Sequence, residues 1–345
     1  MNPREKFLNT IKNRNYDIPI FCPAIYDYKA TFSNSPLSLF GQDESEFIDA
    51  VDKEIEVLNS EVVTCGYDIY NIEAEAIGSI VSRNKQNIFP EIIHPLINDL
   101  DEINKLPKLK KCGGRMPLFI RATKHLSKKY QNTVYIRGAT SGPFSLAGKI
   151  YDKEKLIVDC ILNPKAIYKL LEYCTEIILK YISGFLDEGE DVIIFDSLAS
   201  PPLISNDIYN KMIFPFHQRI FDFMKKRGAQ IRPLIIGGNT LPILDNLTKT
   251  GANQLLLDFV IPLKEILTVL ERYDLAFRIN INPFLVANDD HNLIAEKLKT
   301  IMNVLGHRPN LLIGTGILSV NTPIENIQLI RNLITEHYRR TLNKI

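Results

Sequence analysis

The stretch Glu188-Gly189-Glu190-Asp191-Val192-Ile193-Ile194-Phe195-Asp196-Ser197 decides the fold class of this chain. A polar helix end leads into a short, uninterrupted apolar run that stops at a carboxylate. Such a run is typical of a strand buried on both faces, and in parallel α/β proteins the functional residues follow the ends of these strands. The stretch therefore predicts a buried parallel strand and makes Asp196 a candidate site residue.

The same pattern recurs along the chain. Segments of helical length, such as Pro164 to Glu188 and Ile208 to Lys226, alternate with the apolar runs, and an amphipathic helix is predicted at the start, from Pro3 to Arg14. Strands alternating with helices favour a closed (β/α)8 TIM barrel with N-terminal helical additions, and an open doubly wound sheet is the alternative. Besides the opening stretch, buried strands are predicted at 18–25, 62–69, 133–138, 232–238, 254–258, 276–280 and 310–316.

Composition limits the class of protein. With 345 residues and 45% hydrophobic content, the chain can form one decorated barrel domain spanning 1–345. The 41 basic and 40 acidic residues leave a net charge of +1 with no block of like charge, so a nucleic-acid binder is not expected. No apolar run is long enough for a membrane span, and the polar start, Met1 to Lys6, does not resemble a signal peptide. These features predict a cytoplasmic protein with no membrane partner.

The five cysteines include no Cys-x-x-Cys pair, which argues against a disulfide framework and against a cysteine-rich zinc module. We expect reduced thiols. Cys160 and Cys174 lie in apolar helical patterns and are expected in the core, whereas Cys22 and Cys65 lie in the first two predicted strands, where each could face either a pocket or the core.

One connection is unusually rich in turn residues. The segment from Phe89 to Pro117 contains four prolines and two adjacent glycines, which predicts an excursion away from the barrel. It could cover the barrel mouth as a lid or form a surface insertion. Its basic part, Lys105 to Arg115, is interpreted as a solvated surface connection.

Several local patterns, in the same order along nearly the whole chain, resemble the uroporphyrinogen decarboxylase superfamily. Within it, the resemblance is closest to the branch that contains the methylcobalamin:coenzyme M methyltransferases. The superfamily is built on a (β/α)8 barrel with its site at the C-terminal mouth, which agrees with the strand pattern. The matching segments are Gly66 to Gly78, Ile93-His94-Pro95, Gly142 to Ala147, Phe195-Asp196-Ser197 with Pro202 to Ser205, Gly314 to Ile317, and Thr322 to Ile327.

The methyltransferase resemblance implies a zinc site of one histidine and two cysteines, after the fifth and eighth strands. A zinc ion lowers the pKa of a substrate thiol, so that the thiolate exists at neutral pH. This sequence has Ile235 in place of the histidine, and Gly237 and Ile317 in place of the cysteines. None of these side chains can coordinate zinc, so neither zinc nor any other metal is expected here.

The decarboxylase resemblance is also incomplete. Asp68 aligns with the aspartate that this branch places at the end of the second strand, and Ser197 matches a polar substrate contact. The segment Cys22 to Asp27, however, offers no arginine to clamp carboxylates. Lys149 and Thr315 stand where the decarboxylases have tyrosine and histidine. Uroporphyrinogen itself, with eight carboxylates, is therefore not the expected substrate.

Asp68 and Asp196 are the predicted catalytic carboxylates, as strand-end groups that could act as general base. Structural alternatives remain for several of the other candidates. Arg137 could simply neutralise Asp196, His217 could be a packed or capping histidine, and Glu73 could act as a helix-start charge. The glycine pair could turn the chain or let a ligand approach the backbone. The predicted substrate-binding residues are Glu73, Arg137, Ser197, His217, Gly237, Gly238, Asn280, Asn282 and Thr315.

Three functions are compatible with these residues. The favoured one is a methyltransferase that acts on a small molecule without zinc and works with a corrinoid protein, which would bring the cobalamin. The second is a lyase that decarboxylates a tetrapyrrole or a smaller carboxylic acid through Asp68. The third is a barrel that binds a ligand without catalysis. The resemblance allows either a monomer or a homodimer.

Overall fold

The computed structural model describes residues 2–14, 18–68, 70–83, 88–288 and 290–342. Its central sheet contains eight parallel strands. They are β1 (Ile20–Ala24), β2 (Val62–Cys65), β3 (Tyr135–Ser141), β4 (Val192–Phe195), β5 (Pro233–Ile235), β6 (Gln254–Leu257), β7 (Ala276–Ile281) and β8 (Leu311–Ile317).

The strand order is that of a barrel. From β1 the sheet runs through β8, β7, β6, β5, β4 and β3 to β2, and every hydrogen-bonded pair is parallel. Because β1 and β2 also lie side by side, the sheet is nearly closed. The predicted (β/α)8 TIM barrel is confirmed, and the open doubly wound alternative is excluded.

Helices surround this sheet. The long helix after β3 shows why they dock: Ile167, Leu171, Cys174 and Ile178 recur at helical spacing and are all buried, so one apolar face packs on the strands. The helices are α1 (Pro3–Ile11), α2 (Glu44–Leu58), α3 (Ile72–Ala76), α4 (Met116–Lys129), α5 (Pro143–Ile150), α6 (Lys153–Leu162), α7 (Pro164–Asp187), α8 (Asn206–Ile208), α9 (Phe214–Lys226), α10 (Leu244–Leu247), α11 (Leu263–Arg272), α12 (Pro283–Val286), α13 (His291–Leu305) and α14 (Ile324–Leu342).

Several predicted elements have different bounds: α1 ends at Ile11 and not at Arg14, and the largest differences concern β2 and the helix predicted from Ile208. β2 ends at Cys65, whereas the prediction continued to Ile69, which lies outside the described residues. The single helix predicted from Ile208 to Lys226 is divided, because a π-helical turn, Tyr209–Ile213, separates α8 from α9. Pro215 lies in the first turn of α9, where a residue without a backbone N–H is tolerated.

Helix α1 closes the N-terminal end of the barrel. Asn2 caps it by accepting a hydrogen bond from the backbone N–H of Glu5, whose side chain accepts one from the N–H of Asn2 in return. The ring of Phe7 is fully buried and stacks on Tyr135, the first residue of β3, with 4.7 Å between ring centroids. The opposite, C-terminal end of the barrel remains available for a site.

The segment between β2 and α4 packs against the barrel, with Ile97 and Leu106 in the main core. Val81–Ser82 and Glu91–Ile92 pair as an antiparallel ribbon, and Leu100–Lys105 forms a 3-10 turn.

None of the described helices is long and apolar enough to cross a membrane.

Candidate functional site

A cavity of about 390 Å³ opens at the carboxyl ends of the strands. Its wall includes the last residues of four strands: Ala24 of β1, Phe195 of β4, Ile235 of β5 and Ile317 of β8. The β6, β7 and β8 sides contribute Asp258, Asn280 and Thr315. Its position is the one in which TIM barrels hold their active sites.

The three positions at which the methyltransferase resemblance implies zinc ligands all line this cavity. They are occupied by Ile235, Gly237 and Ile317, which offer no donor atom. A Cβ built on Gly237 would have its nearest neighbour, the Asp258 Oδ2, at 3.4 Å, so the backbone there leaves room for a side chain. The described residues contain no group of three or more histidine, cysteine or acidic side chains that could hold a metal. Zinc therefore does not fit these side chains.

Arg278 of β7 is the buried cation on the cavity wall, a residue that the sequence pattern did not predict as part of the site. Its Nε donates a hydrogen bond to Asn280 Oδ1 at 3.0 Å, its Nη1 to the hydroxyl of Tyr26 at 3.2 Å and its Nη2 to the carbonyl of Thr315 at 3.0 Å. Only 2% of the residue is exposed. Arg278 thus ties the ends of β7 and β8 to the segment after β1.

Asp258, which follows β6, is the first of two carboxylates on the cavity wall. It accepts hydrogen bonds from the backbone N–H groups of Gly238 at 2.7 Å and Phe259 at 2.8 Å, and from Asn280 Nδ2 at 3.4 Å. Gly238 has φ of +80°, and a Cβ there would lie 2.7 Å from Ser200 Oγ. This glycine therefore lets its N–H reach Asp258.

Asp27 is the second carboxylate on the wall, three residues beyond the end of β1. Burial raises its pKa to about 6, helped by the nearby charge of Asp68, although a hydrogen bond from the backbone N–H of Asp68 opposes the shift. The strand-end rule that selected Asp68 and Asp196 could also have found Asp27, because Asp27 likewise comes shortly after a predicted strand.

Asp68 does not line the cavity and lies behind Asp27. Its Oδ2 accepts a hydrogen bond from Arg115 Nη2 at 2.6 Å, and Asn71 donates to its Oδ1. Burial raises the pKa of Asp68, and Arg115 lowers it. The prediction that Lys105 to Arg115 is a solvated connection is wrong at its last residue, because Arg115 is only 7% exposed and also binds Glu75 at 2.6 Å.

The backbone around Asp68 is unusual. Asp68 has φ of 54° and Tyr70 has φ of 86°, a region that side-chain-bearing residues rarely adopt. The hydroxyl of Tyr70 donates a hydrogen bond to Ser197 Oγ at 2.9 Å, and both residues line the cavity. The two also border a neighbouring cavity of about 290 Å³ that includes Lys149, whose pKa is lowered by burial.

Asp196 is completely buried and makes no contact with the cavity. Its oxygens accept from the backbone N–H groups of Phe144 at 3.3 Å and Ser145 at 2.6 Å, at the start of α5, where the helix dipole favours a negative charge. Its Oδ2 also lies 2.8 Å from His217 Nε2, and the other ring nitrogen of His217 lies 2.9 Å from the hydroxyl of Tyr209. Asp196 and His217 therefore lie behind the part of the cavity wall that contains Ser197.

Three further candidates, like Asp68, Asp196 and His217, do not line the cavity. Arg137 lies deep in the barrel, where it contacts Thr64 at 3.1 Å and the ring of Phe7, because it is an early residue of β3. Glu73 is buried and accepts from Thr140 and from the N–H of Ser141, and Asn282 is exposed and caps α12.

Neither Cys22 nor Cys65 lines the cavity. Both are buried in hydrophobic clusters, and burial raises the pKa of Cys65 to about 12. The core alternative is thus the one that the structure supports, and all five cysteines are free thiols.

The fold and this cavity define a TIM-barrel protein whose candidate site lies at the C-terminal mouth. The family model of uroporphyrinogen decarboxylase (URO-D) matches residues 2–337, and the chain belongs to this family.

Individual relatives fall into both branches of the family. Methylcobamide:CoM methyltransferase MtbA of Methanosarcina acetivorans is 30% identical over 276 residues, covering 79% of this chain and 78% of the relative. Uroporphyrinogen decarboxylase of Parasynechococcus marenigrum is 24% identical, covering 69% of this chain and 68% of the relative. Among solved structures, a methyltransferase from Methanosarcina mazei superposes with a TM-score of 0.85 at 19% identity, covering 98% of this chain and 99% of that one.

Proposed function

We propose that this chain is an enzyme that moves a methyl group between a small molecule in the cavity and a corrinoid protein at the barrel mouth. The observation that carries the proposal is the carboxylate of Asp27 in the same cavity as Ile235, Gly237 and Ile317. In this proposal the acceptor is activated at the same position in the barrel as in the methyltransferase branch, but by a general base and not by zinc. The higher identity to the methyltransferase MtbA than to the decarboxylase, 30% against 24%, supports this choice.

Asp27 acts as general base in this proposal. With a pKa of about 6, its carboxylate is ionised at neutral pH and basic enough to take a proton from an acceptor group. The acceptor, Nu–H, loses this proton to Asp27 as its electron pair forms the new bond to the methyl carbon. The electron pair of the broken methyl bond leaves with the donor. The corrinoid would supply the methyl group in this direction; in the reverse direction it would receive the methyl group while protonated Asp27 returns its proton to the leaving group.

The other residues support this step. Asp68 is a positioning residue, since its N–H holds Asp27 and its charge raises the pKa of Asp27. Asn280, Thr315 and Ser197 face the cavity and would contact the small molecule. Asp196 would act indirectly, by fixing the start of α5 behind Ser197. The remaining candidates that do not reach the cavity, Glu73, Arg137, His217, Gly238 and Asn282, would likewise have supporting roles.

The rim of the mouth fits a docked protein. Large apolar side chains there are exposed: Leu203 in the segment after β4, Val260 in the segment after β6, Phe284 in α12 and Ile317 at the end of β8. Exposed apolar side chains around a cavity would form an interaction site if a partner covered them together. A partner seated on this rim would bring its corrinoid over the cavity.

The test is an assay of methyl loss from methylcobalamin, followed by absorbance, with a panel of thiols and amines as acceptors. We expect turnover with at least one acceptor and a rate that rises with pH through about 6, as Asp27 ionises. Asp27→Asn should lower the rate about 100-fold or more and remove this pH dependence. Asp207→Asn, at an exposed ion pair with Lys211, is the control.

The same preparation tests the decarboxylase alternative, which the relatives of that name favour. Carbon dioxide release from a carboxylic acid, lost in Asp68→Asn, together with no methyl loss, would replace the proposal by a lyase. A ligand that raises the melting temperature but is recovered unchanged in every assay would indicate a binding protein.

A further inference from the structure

We infer that the cavity binds the reacting group of its substrate as a cation, a methylated ammonium or sulfonium. This inference rests on the proposed function and names the substrate class of the same cavity. Three features carry it: the charges on the wall, the aromatic rings and the apolar side chains at the former ligand positions.

The charged groups on the wall are two carboxylates, Asp27 and Asp258, and one guanidinium, Arg278. With Asp27 ionised, one negative charge remains without a partner. Lys29 is close in sequence, but its ammonium pairs with Glu54 in the core. Within the described residues, no ion pair to Asp27 is found. An unpaired carboxylate on an enclosed wall attracts a cationic ligand.

Arg278 does not occupy the place that such a ligand would need. Its three nitrogens each donate to a protein acceptor, namely Asn280, Tyr26 and the carbonyl of Thr315. It is fixed to the cavity wall by these bonds, at a strand position two residues deeper than Asn280. Asp258, which accepts a hydrogen bond from Asn280, offsets the positive charge of Arg278.

Aromatic side chains form much of the remaining wall. Tyr26, Tyr70, Phe195 and Phe259 line the cavity, and Tyr26 meets Phe195 edge to face, with ring centroids 4.9 Å apart. Ring faces attract ammonium groups, and such cages recognise methylated ammonium ions.

The positions at which the family resemblance implies zinc ligands favour the binding of a methylated cation over that of a bare ammonium. Ile235 and Ile317 present apolar surface that can pack against methyl groups, whereas a bare ammonium needs acceptors for three N–H bonds. The absence of donor atoms at these positions, which excludes zinc, thus leaves an apolar wall beside a carboxylate.

The experiment compares two ligands of the same shape by isothermal titration calorimetry on the full chain. Choline carries a trimethylammonium group, and 3,3-dimethylbutan-1-ol carries an uncharged tert-butyl group in its place. We expect choline to bind at least tenfold more tightly. Equal affinities, or no binding of choline, would overturn the inference.

Two variants locate the site. Asp27→Asn should weaken choline binding about tenfold and leave the neutral ligand unaffected, and Asp207→Asn should change neither. Phe259→Leu, at a half-buried residue, should also weaken choline selectively if Asp27→Asn fails to fold. Unchanged affinity in the folded variants would contradict the inference.

Choline binding should weaken as the pH falls through about 6, because protonation removes the charge of Asp27. Choline itself keeps its charge throughout. The charged or titratable groups that face Asp27 or surround it are Lys29, Tyr67, Asp68 with its partner Arg115, Tyr70, Asp258 and Arg278. Asp27→Asn should remove the dependence, and a dependence that persists in this variant would assign it to another group and count against the inference.

The outcomes separate the two proposals. Methyl loss to a neutral acceptor without choline binding would retain the methyltransferase and reject the cationic substrate. Choline binding that depends on Asp27, without methyl transfer to or from any methylated amine or sulfonium, would retain the cation site and reject the methyltransferase.

Discussion

At the scale of single residues, Arg115 connects the polar groups behind the cavity. It binds Asp68 and Glu75, each at 2.6 Å, and Arg83 also binds Glu75 at 2.6 Å. A buried charge is destabilising unless it is paired, and Arg115 provides the partner for Asp68 beside Asp27. It also fixes the segment in which Asp68 has a left-handed backbone, a conformation that costs about 1–3 kcal/mol and needs support from its surroundings.

We predict that Arg115→Met lowers the free energy of unfolding by about 3 kcal/mol, because it leaves the buried carboxylate of Asp68 unpaired. Arg121→Met is the matched control, since Arg121 pairs with Glu44 at the surface and should cost less than about 1 kcal/mol. Urea denaturation measures both. Equal losses in the two variants would show that the buried pair has no special importance.

The sequence predicted some of the site residues and missed others for a physical reason. Ser197, Gly237, Asn280 and Thr315 line the cavity, and all four lie at or near the ends of predicted strands. The strand-end rule could not show which arginine lines the cavity. Arg137 and Arg278 both lie within strands, and their depth in the barrel depends on strand stagger. The role of Arg115 depends on a contact with a residue 47 positions away, which a local basic pattern cannot reveal.

At the scale of elements, strand ends determine which residues meet. The end of β5 supplies Ile235 and Gly237, and the end of β8 supplies Ile317, so positions about 80 residues apart share one cavity. The barrel itself was predictable, since each buried strand is an apolar run with a polar end. The break between α8 and α9 was not, because a π-helical turn keeps the apolar pattern of a continuous helix.

Because positions 235, 237 and 317 line one cavity, we predict that zinc ligands placed there would form a zinc site. The triple variant Ile235→His, Gly237→Cys, Ile317→Cys should bind about one zinc ion per chain, since three protein ligands suffice for an open zinc site. A Cβ at position 237 would lie 3.4 Å from Asp258, which leaves room for the first cysteine.

Metal analysis after dialysis measures the result. The double variant that keeps Ile317 is the control and should bind zinc far more weakly. Failure of the folded triple variant to retain zinc would mean that the three positions do not converge as described.

At the scale of the whole molecule, the two ends of the barrel differ. Helix α1 covers the N-terminal end with Phe7, and the C-terminal end has a rim of exposed apolar side chains. Exposed apolar area is expensive in water unless a partner covers it. This asymmetry supports the proposed docking of a partner at the same end as the cavity.

We predict that Phe284→Ser weakens transfer from a corrinoid protein at least fivefold, because Phe284 is 80% exposed on the rim. Transfer from free methylcobalamin should be unaffected, since the side chain does not line the cavity. Ile161→Ser, at a residue that is 70% exposed on α6, is the matched control. An equal effect on both methyl donors would contradict a docking role.

The covered N-terminal end also has a consequence for the order of events. In the part of the chain that the structure describes, α1 covers the N-terminal end, so a small molecule would enter and leave by the mouth on which the proposed partner would sit. Under the proposed function, the small molecule would therefore bind before the partner docks, and the product would leave after the partner. Initial-rate kinetics with both reactants varied should show an ordered mechanism, and a random one would mean that a second passage through the barrel exists.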